Sequence, residues 1–174
     1  DNPSKDNKVS IKSKTEVVFP KNAVTDMFYT YQDIAAQERE ESLNYDCILK
    51  RGVTVLELNS RQEPCPDYMK SFKYTITGNC GNVFNPSTGH CLKKTTLTNT
   101  YDISGDQLTG KRFSFSIYFF LGKDDVTDIQ LTTQSIDTED KVVKKLSFEN
   151  VHMVKGKMTT YKGPFLTTHS SASF

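Results

Sequence analysis

Beyond Asn44 the apolar residues fall at every second position, and that period constrains the fold class more than any other feature of the chain. Tyr45, Cys47 and Leu49 alternate with polar neighbours. So do Val53 and Val55, then Phe72, Tyr74 and Ile76, then Phe113, Phe115, Ile117, Phe119 and Leu121, and later Ile129 with Leu131 and Leu146 with Phe148. One apolar side chain every two residues is what a half-buried strand requires. Turn-forming groups separate the runs: Lys50-Arg51-Gly52, Ser104-Gly105-Asp106, Gly122-Lys123-Asp124-Asp125, Thr138-Glu139-Asp140 and Lys155-Gly156-Lys157. Connections this short leave no room for helical crossovers. The expectation is a mainly β, mostly antiparallel chain of about seven or eight short strands, arranged as a barrel or a sandwich.

The N-terminal part follows a different pattern. Residues 1–19 carry Lys5, Lys8, Lys12 and Lys14 among Asp, Asn and Ser, which predicts a flexible basic arm punctuated by Pro20. From Asn22, a suitable cap, Ala23, Met27, Tyr31, Ile34 and Ala35 recur at three- and four-residue spacing and predict a short helix. Met27, Tyr29 and Tyr31 also alternate, so residues 23–35 carry a competing strand pattern. A single domain is expected over residues 20–166, followed by a tail at 167–174.

At 174 residues the chain can bury one core of its own, and it contains no apolar run of membrane-spanning length. Its formal charge of +1 implies neither a nucleic-acid partner nor a membrane surface. There is no Trp, so Phe and Tyr must supply the bulk of the core. The four cysteines, Cys47, Cys65, Cys80 and Cys91, form an even set without a Cys-x-x-Cys unit in a sequence starting at Asp1. This reads as two disulfides in a processed, secreted, extracellular protein. Three pairings are open. The turn Asn85-Pro86-Ser87-Thr88-Gly89 would allow a Cys80–Cys91 bridge across a hairpin, leaving Cys47 with Cys65.

No catalytic residue emerges. The chain lacks a Gly-x-Ser-x-Gly elbow, and its three histidines, His90, His152 and His169, have no close His or Cys companion at metal-site spacing; His90 merely adjoins Cys91. The carboxylates Glu38, Glu40 and Glu41, and Asp124, Asp125 and Asp128, lack calcium-loop spacing and read as solvated faces. No Gly-rich phosphate loop is present. Neither metal nor cofactor is implied, and by elimination the chain is expected to be a non-enzymatic binding protein.

Two stretches carry a resemblance. Thr30-Tyr31 ahead of Tyr45-Asp46-Cys47, and Cys80-Gly81-Asn82-Val83-Phe84 followed by Cys91-Leu92, are similar to motifs of the divergent salivary lipocalins of ticks, over roughly residues 22–95. The general lipocalin Gly-x-Trp signature is absent. The resemblance implies a secreted eight-stranded barrel with a role in immune evasion. Such a protein blocks a host plasma or defence protein, for instance a complement component. The alternative is that it scavenges small inflammatory mediators or lipids, of the histamine, serotonin or leukotriene class, in its cavity.

Between these roles the aromatic content points to protein binding. Phe72, Tyr74, Phe113, Phe115, Ile117, Phe119 and Phe148 are large enough to fill a small barrel rather than line an open one, although lining an apolar cavity is the alternative reading. Recognition then falls to loops. Val83 and Phe84 beside the Pro86 turn are candidate anchors, and Asp124, Asp125, Lys155 and Lys157 are candidates for steering a partner.

Overall fold

The computed structural model describes residues 10–19, 24–32, 46–60, 64–103 and 114–166. Fourteen strands run through them. The first nine are β1 (Ser10–Ser13), β2 (Glu16–Val18), β3 (Phe28–Tyr29), β4 (Lys50–Arg51), β5 (Thr54–Asn59), β6 (Met69–Gly78), β7 (Cys80–Gly81), β8 (Val83–Asn85) and β9 (His90–Cys91). Five more follow: β10 (Leu97–Asp102), β11 (Ser114–Leu121), β12 (Val126–Asp137), β13 (Val142–Val154) and β14 (Met158–Lys162). The mainly β class is as the alternation requires.

The strands do not close into an eight-stranded barrel. They form one sheet in the order β10-β6-β12-β13, a second in the order β14-β5-β11-β7, a small sheet β1-β2-β8-β9, and a two-stranded ribbon β3-β4. Every pairing is antiparallel except β14 with β5, which is parallel. Where β13 and β14 approach, side chains hold them rather than a hydrogen-bonded ladder. Phe148 meets Tyr161 edge-on at 5.7 Å, and Lys144 Nζ donates to the Pro164 carbonyl at 2.6 Å.

The two main sheets share one core. Phe72, Tyr74 and Ile76 of β6, Ile129 and Leu131 of β12, and Val151 and Met153 of β13 meet Leu56 and Leu58 of β5 and Ile117, Phe119 and Leu121 of β11. Phe72 and Phe115 stack with ring centres 4.6 Å apart, and Tyr101 stacks on Phe115 at 5.1 Å. Of the aromatics expected to line the interior, Phe113 lies outside the described residues. The others contribute to this core, Phe115 and Phe148 from partly buried positions. The even-numbered face of β11 is covered as well: Phe120 packs with Phe19, Val24, Val53 and Phe84 in a second cluster beneath the small sheet, with Tyr118 at its margin. β11 is therefore apolar on both faces, which is why Phe119-Phe120-Leu121 reads as an unbroken apolar run.

A bulge lets β13 keep both of its halves in register with the core. Ile129 pairs with Val151 but Leu131 pairs with Phe148, so Glu149 and Asn150 together face Gln130. Asn150 has φ 58°, a left-handed conformation that asparagine tolerates better than most residues. The inward set switches here from Leu146 and Phe148 to Val151 and Met153; without the extra residue Val151 would point to solvent.

Three local expectations are corrected. No helix occupies residues 24–32. Phe28–Tyr29 form β3, paired with β4 through Phe28 with Arg51 and Tyr29 with Lys50, and the Gly52 amide donates to the Met27 carbonyl at 2.9 Å. The period-two pattern of Met27, Tyr29 and Tyr31 prevailed because pairing satisfies the backbone while β-favouring aromatics pack on its face. Residues 23 and 33–35 of the expected helix lie outside the described residues. For the same reason Lys50-Arg51 is a strand rather than a turn, and residues 46–49 are irregular rather than a strand. The segment 10–19, assigned in sequence to a loose arm, forms β1 and β2, and Phe19 is buried under Phe120 at 5.4 Å.

No disulfide joins any of the four cysteines. Cys80 lies in the main core and Cys91, its neighbour, packs at the edge of the second cluster. Cys47 is exposed beside Gln32, whereas Cys65 is buried in the main core. Burial, reinforced by the neighbouring Cys91, pushes the Cys80 thiol up to about 12, and burial raises Cys91 too.

Candidate functional site

Four connections converge at one end of the molecule. The ribbon β3–β4 supplies Tyr29, Thr30, Tyr31, Ile48, Lys50 and Arg51, the β8–β9 turn supplies Pro86, Ser87 and Thr88, the β11–β12 connection supplies Asp125, and the β13–β14 turn supplies Val154 and Lys155. Between them lies a cleft of about 580 Å³ that opens to solvent. Two of these segments are shaped by turn chemistry legible in the chain. Asn85 Oδ1 accepts hydrogen bonds from the Ser87 amide at 3.0 Å and the Ser87 hydroxyl at 2.8 Å, an Asx turn that holds the loop shape. Gly89, at φ 72°, completes it, and Gly156, at φ 70°, does the same at the β13–β14 turn.

Gly89 is also a close approach. The position a Cβ would occupy is filled by the Tyr29 hydroxyl, with Lys155 Nζ 2.9 Å away. Tyr29 is locked from below by Phe84, whose ring meets it edge-on at 4.8 Å. Partial burial and the nearby Asp125 carboxylate raise the Tyr29 phenol above its ordinary range, so it remains a neutral hydrogen-bonding group.

The polar wall is built on Asp125. Its Oδ1 lies 2.9 Å from His90 Nε2 and 3.4 Å from Lys155 Nζ, and its backbone carbonyl accepts from the Lys155 amide at 2.8 Å. The hydrogen bond from His90, then the Lys155 charge, hold the Asp125 carboxyl below the usual range. Across the cleft, Arg51 grips Asp26 with both arms of its guanidinium, at 2.9 and 3.0 Å. The Ser87 hydroxyl is turned to Asn85 rather than to His90. No group of three or more His, Cys, Asp or Glu among the described residues is arranged to hold a metal ion.

The structure brings Asp125 and Lys155 of the sequence-chosen residues together in this cleft. Asp124 is exposed next door, accepting from Asn79 Nδ2 at 3.1 Å, and Lys157 is exposed past the turn. Val83 is half-buried on β8, and Phe84 is fully buried against Tyr29 and Phe120, propping the turn from beneath instead of presenting itself on it. Tyr29, Tyr31, Lys50, Arg51, Ser87, Thr88 and His90 were not singled out as site residues. The sequence did hold a signal for some of them, since Tyr29-Thr30-Tyr31 alternates and Pro86-Ser87-Thr88-Gly89 reads as a constrained turn. No local feature of the chain says that the two meet.

These features define an all-β protein with a packed interior and an open polar cleft framed by turns. No protein-family profile and no curated protein matches the chain.

Proposed function

We propose that the chain is a non-enzymatic binding protein that recognises a protein partner through the end of the sandwich carrying the cleft. One observation carries this reading: the interior is occupied. Leu56, Phe72, Ile76, Phe119 and Leu131 are fully inaccessible between the two main sheets, and the cleft of about 580 Å³ lies at the surface among turns. A small ligand is bound by burying most of its surface in a preformed apolar cavity, whereas a protein is recognised by exposed loops on a rigid scaffold. The packed interior and the turn-framed cleft support the second arrangement. That the chain is secreted, and that its partner is a host defence protein such as a complement component, is proposed on the resemblance to the salivary lipocalins alone.

The test is affinity capture from vertebrate plasma with the full chain immobilised, alongside Thr88→Trp, which fills the cleft mouth from an exposed position. The reading requires a specific plasma protein retained by the wild type and lost with Thr88→Trp at unchanged thermal stability. Capture that ignores this variant, or co-purification of a stoichiometric small molecule with no captured protein, refutes it. The latter result would instead favour scavenging of a small mediator.

A further inference from the structure

We infer that the cleft receives a glutamate or aspartate side chain from an extended segment of the partner, with a large apolar residue beside it. This rests on the reading of the chain as a protein-binding molecule and adds the chemistry of what is recognised. The cleft is lined by three cations, Lys50, Arg51 and Lys155, and by one carboxylate, Asp125. Arg51 is satisfied by Asp26 and Lys155 by Asp125, and Lys50 has no ion-pair partner among the described residues. Among the described residues one positive charge of the cleft is left uncompensated, which matches one monovalent anion. The guanidinium fork that would clamp a phosphate bidentately is already engaged with Asp26, and the Ser87 and Thr88 hydroxyls donate to Asn85, leaving the ammonium of Lys50 and the hydroxyls of Tyr29 and Thr30 to meet a carboxylate.

The second argument concerns the rim. Ile48, Leu49 and Phe28 are 77%, 62% and 58% exposed, and all three sit on the β3–β4 ribbon or the segment leading into it. The remaining large exposed apolar side chains, such as Tyr68, Leu92, Val142 and Met158, are dispersed over other strands and connections. Ile48 lines the cleft, Leu49 adjoins Lys50 and Phe28 adjoins Tyr29, and exposed apolar side chains on the segment that carries an uncompensated cation are the pattern of a recognition patch. A free small acid would leave that patch uncovered, because the cleft opens to solvent and cannot enclose it. A peptide segment with an apolar residue next to its carboxylate covers both features.

The probe is a blocked pentapeptide, Gly-Leu-Glu-Phe-Gly, titrated into the isotope-labelled full chain and followed by backbone amide shifts, with its Gln-for-Glu counterpart and sodium acetate as separate arms. The Glu peptide is expected to shift the amides of Tyr29, Lys50, Thr88 and Lys155 and to bind about fivefold tighter than the Gln peptide at low ionic strength, the preference shrinking in high salt. Lys50→Glu should abolish that preference and transfer it to a Lys-for-Glu peptide. Equal affinity of the Glu and Gln peptides, shifts confined to another face, no binding of either peptide, or acetate binding as tightly as the Glu peptide would each overturn the inference. The two readings fail separately. Capture from plasma that is lost with Thr88→Trp while the Glu and Gln peptides bind equally keeps the protein-binding function and removes the carboxylate, and a Glu preference that survives Lys50→Glu overturns the placement of the carboxylate on Lys50.

Discussion

Phe84→Ala tests whether the candidate site is a surface anchor or a propped turn. The side chain is 1% exposed, sits on β8 between Val17 and Cys91, and contacts Tyr29 at 4.8 Å and Phe120 at 4.7 Å. Burial of a phenyl side chain contributes about 1.5–3 kcal/mol, and each ring contact about 0.5–1.5 kcal/mol more. Truncation should therefore cost about 3–5 kcal/mol, the usual range for a buried Phe→Ala. With a urea m-value of about 2 kcal/mol/M, the unfolding midpoint should fall by about 1.5–2.5 M. The chain has no Trp, so the transition is followed by far-ultraviolet circular dichroism with tyrosine fluorescence as a second probe. Phe84→Leu keeps most of the volume and should cost under about 1.5 kcal/mol. A loss below about 1 kcal/mol for Phe84→Ala at unchanged m would refute the placement of this ring in the second cluster. If partner binding per folded molecule then dropped sharply, Phe84 would be a surface anchor after all.

Four further outcomes follow from the same geometry. Gly89→Ala should weaken binding at the cleft, because its methyl group displaces the Tyr29 hydroxyl and its backbone is left-handed; an unchanged peptide titration refutes the close approach. Asp125→Asn should flatten the acid limb of the stability–pH curve: a carboxyl held below its ordinary range stabilises the fold above the unfolded pKa, and that stability is lost as pH falls through the lowered folded pKa. The effect is small because the side chain is 71% exposed, and identical acid limbs for variant and wild type would remove the His90 and Lys155 contacts as its cause. In the native protein at pH 8 an alkylating reagent should modify Cys47 rapidly and Cys91 more slowly, with Cys65 and Cys80 reacting only on unfolding; early Cys80 modification by mass spectrometry would contradict its burial. Chelators and hydrolase-directed reagents should leave capture from plasma unchanged, and its loss would demand a reactive group the cleft does not show.

How much was legible in the sequence differs from element to element. The alternation Phe72-Tyr74-Ile76 and Phe115-Ile117-Phe119 specified strands and the face they bury, because side-chain direction in a strand is a strictly local consequence of the backbone. The turns at Thr138-Glu139-Asp140 and Lys155-Gly156-Lys157 were equally local, since Asp137 Oδ1 caps the Glu139 and Lys141 amides and Gly156 takes the left-handed position. Residues 24–32 were ambiguous: two periods fit the same letters, and only pairing with Lys50–Arg51, about twenty residues away, selects the strand.

Tertiary structure alone decided that the sheets stay open, with a parallel β14 on β5, because pairing between distant strands depends on closure and register that no short window contains. It also decided the fate of the cysteines. Their even number says nothing about where each side chain ends up: Cys47 is exposed beside Gln32, whereas Cys65 and Cys80 are buried in the main core. The cleft belongs to the same category. Tyr29, Lys50, Thr88, Asp125 and Lys155 come from segments spread over more than a hundred residues. The chain fixes the chemistry of each side chain, but proximity is a property of the packed sheets.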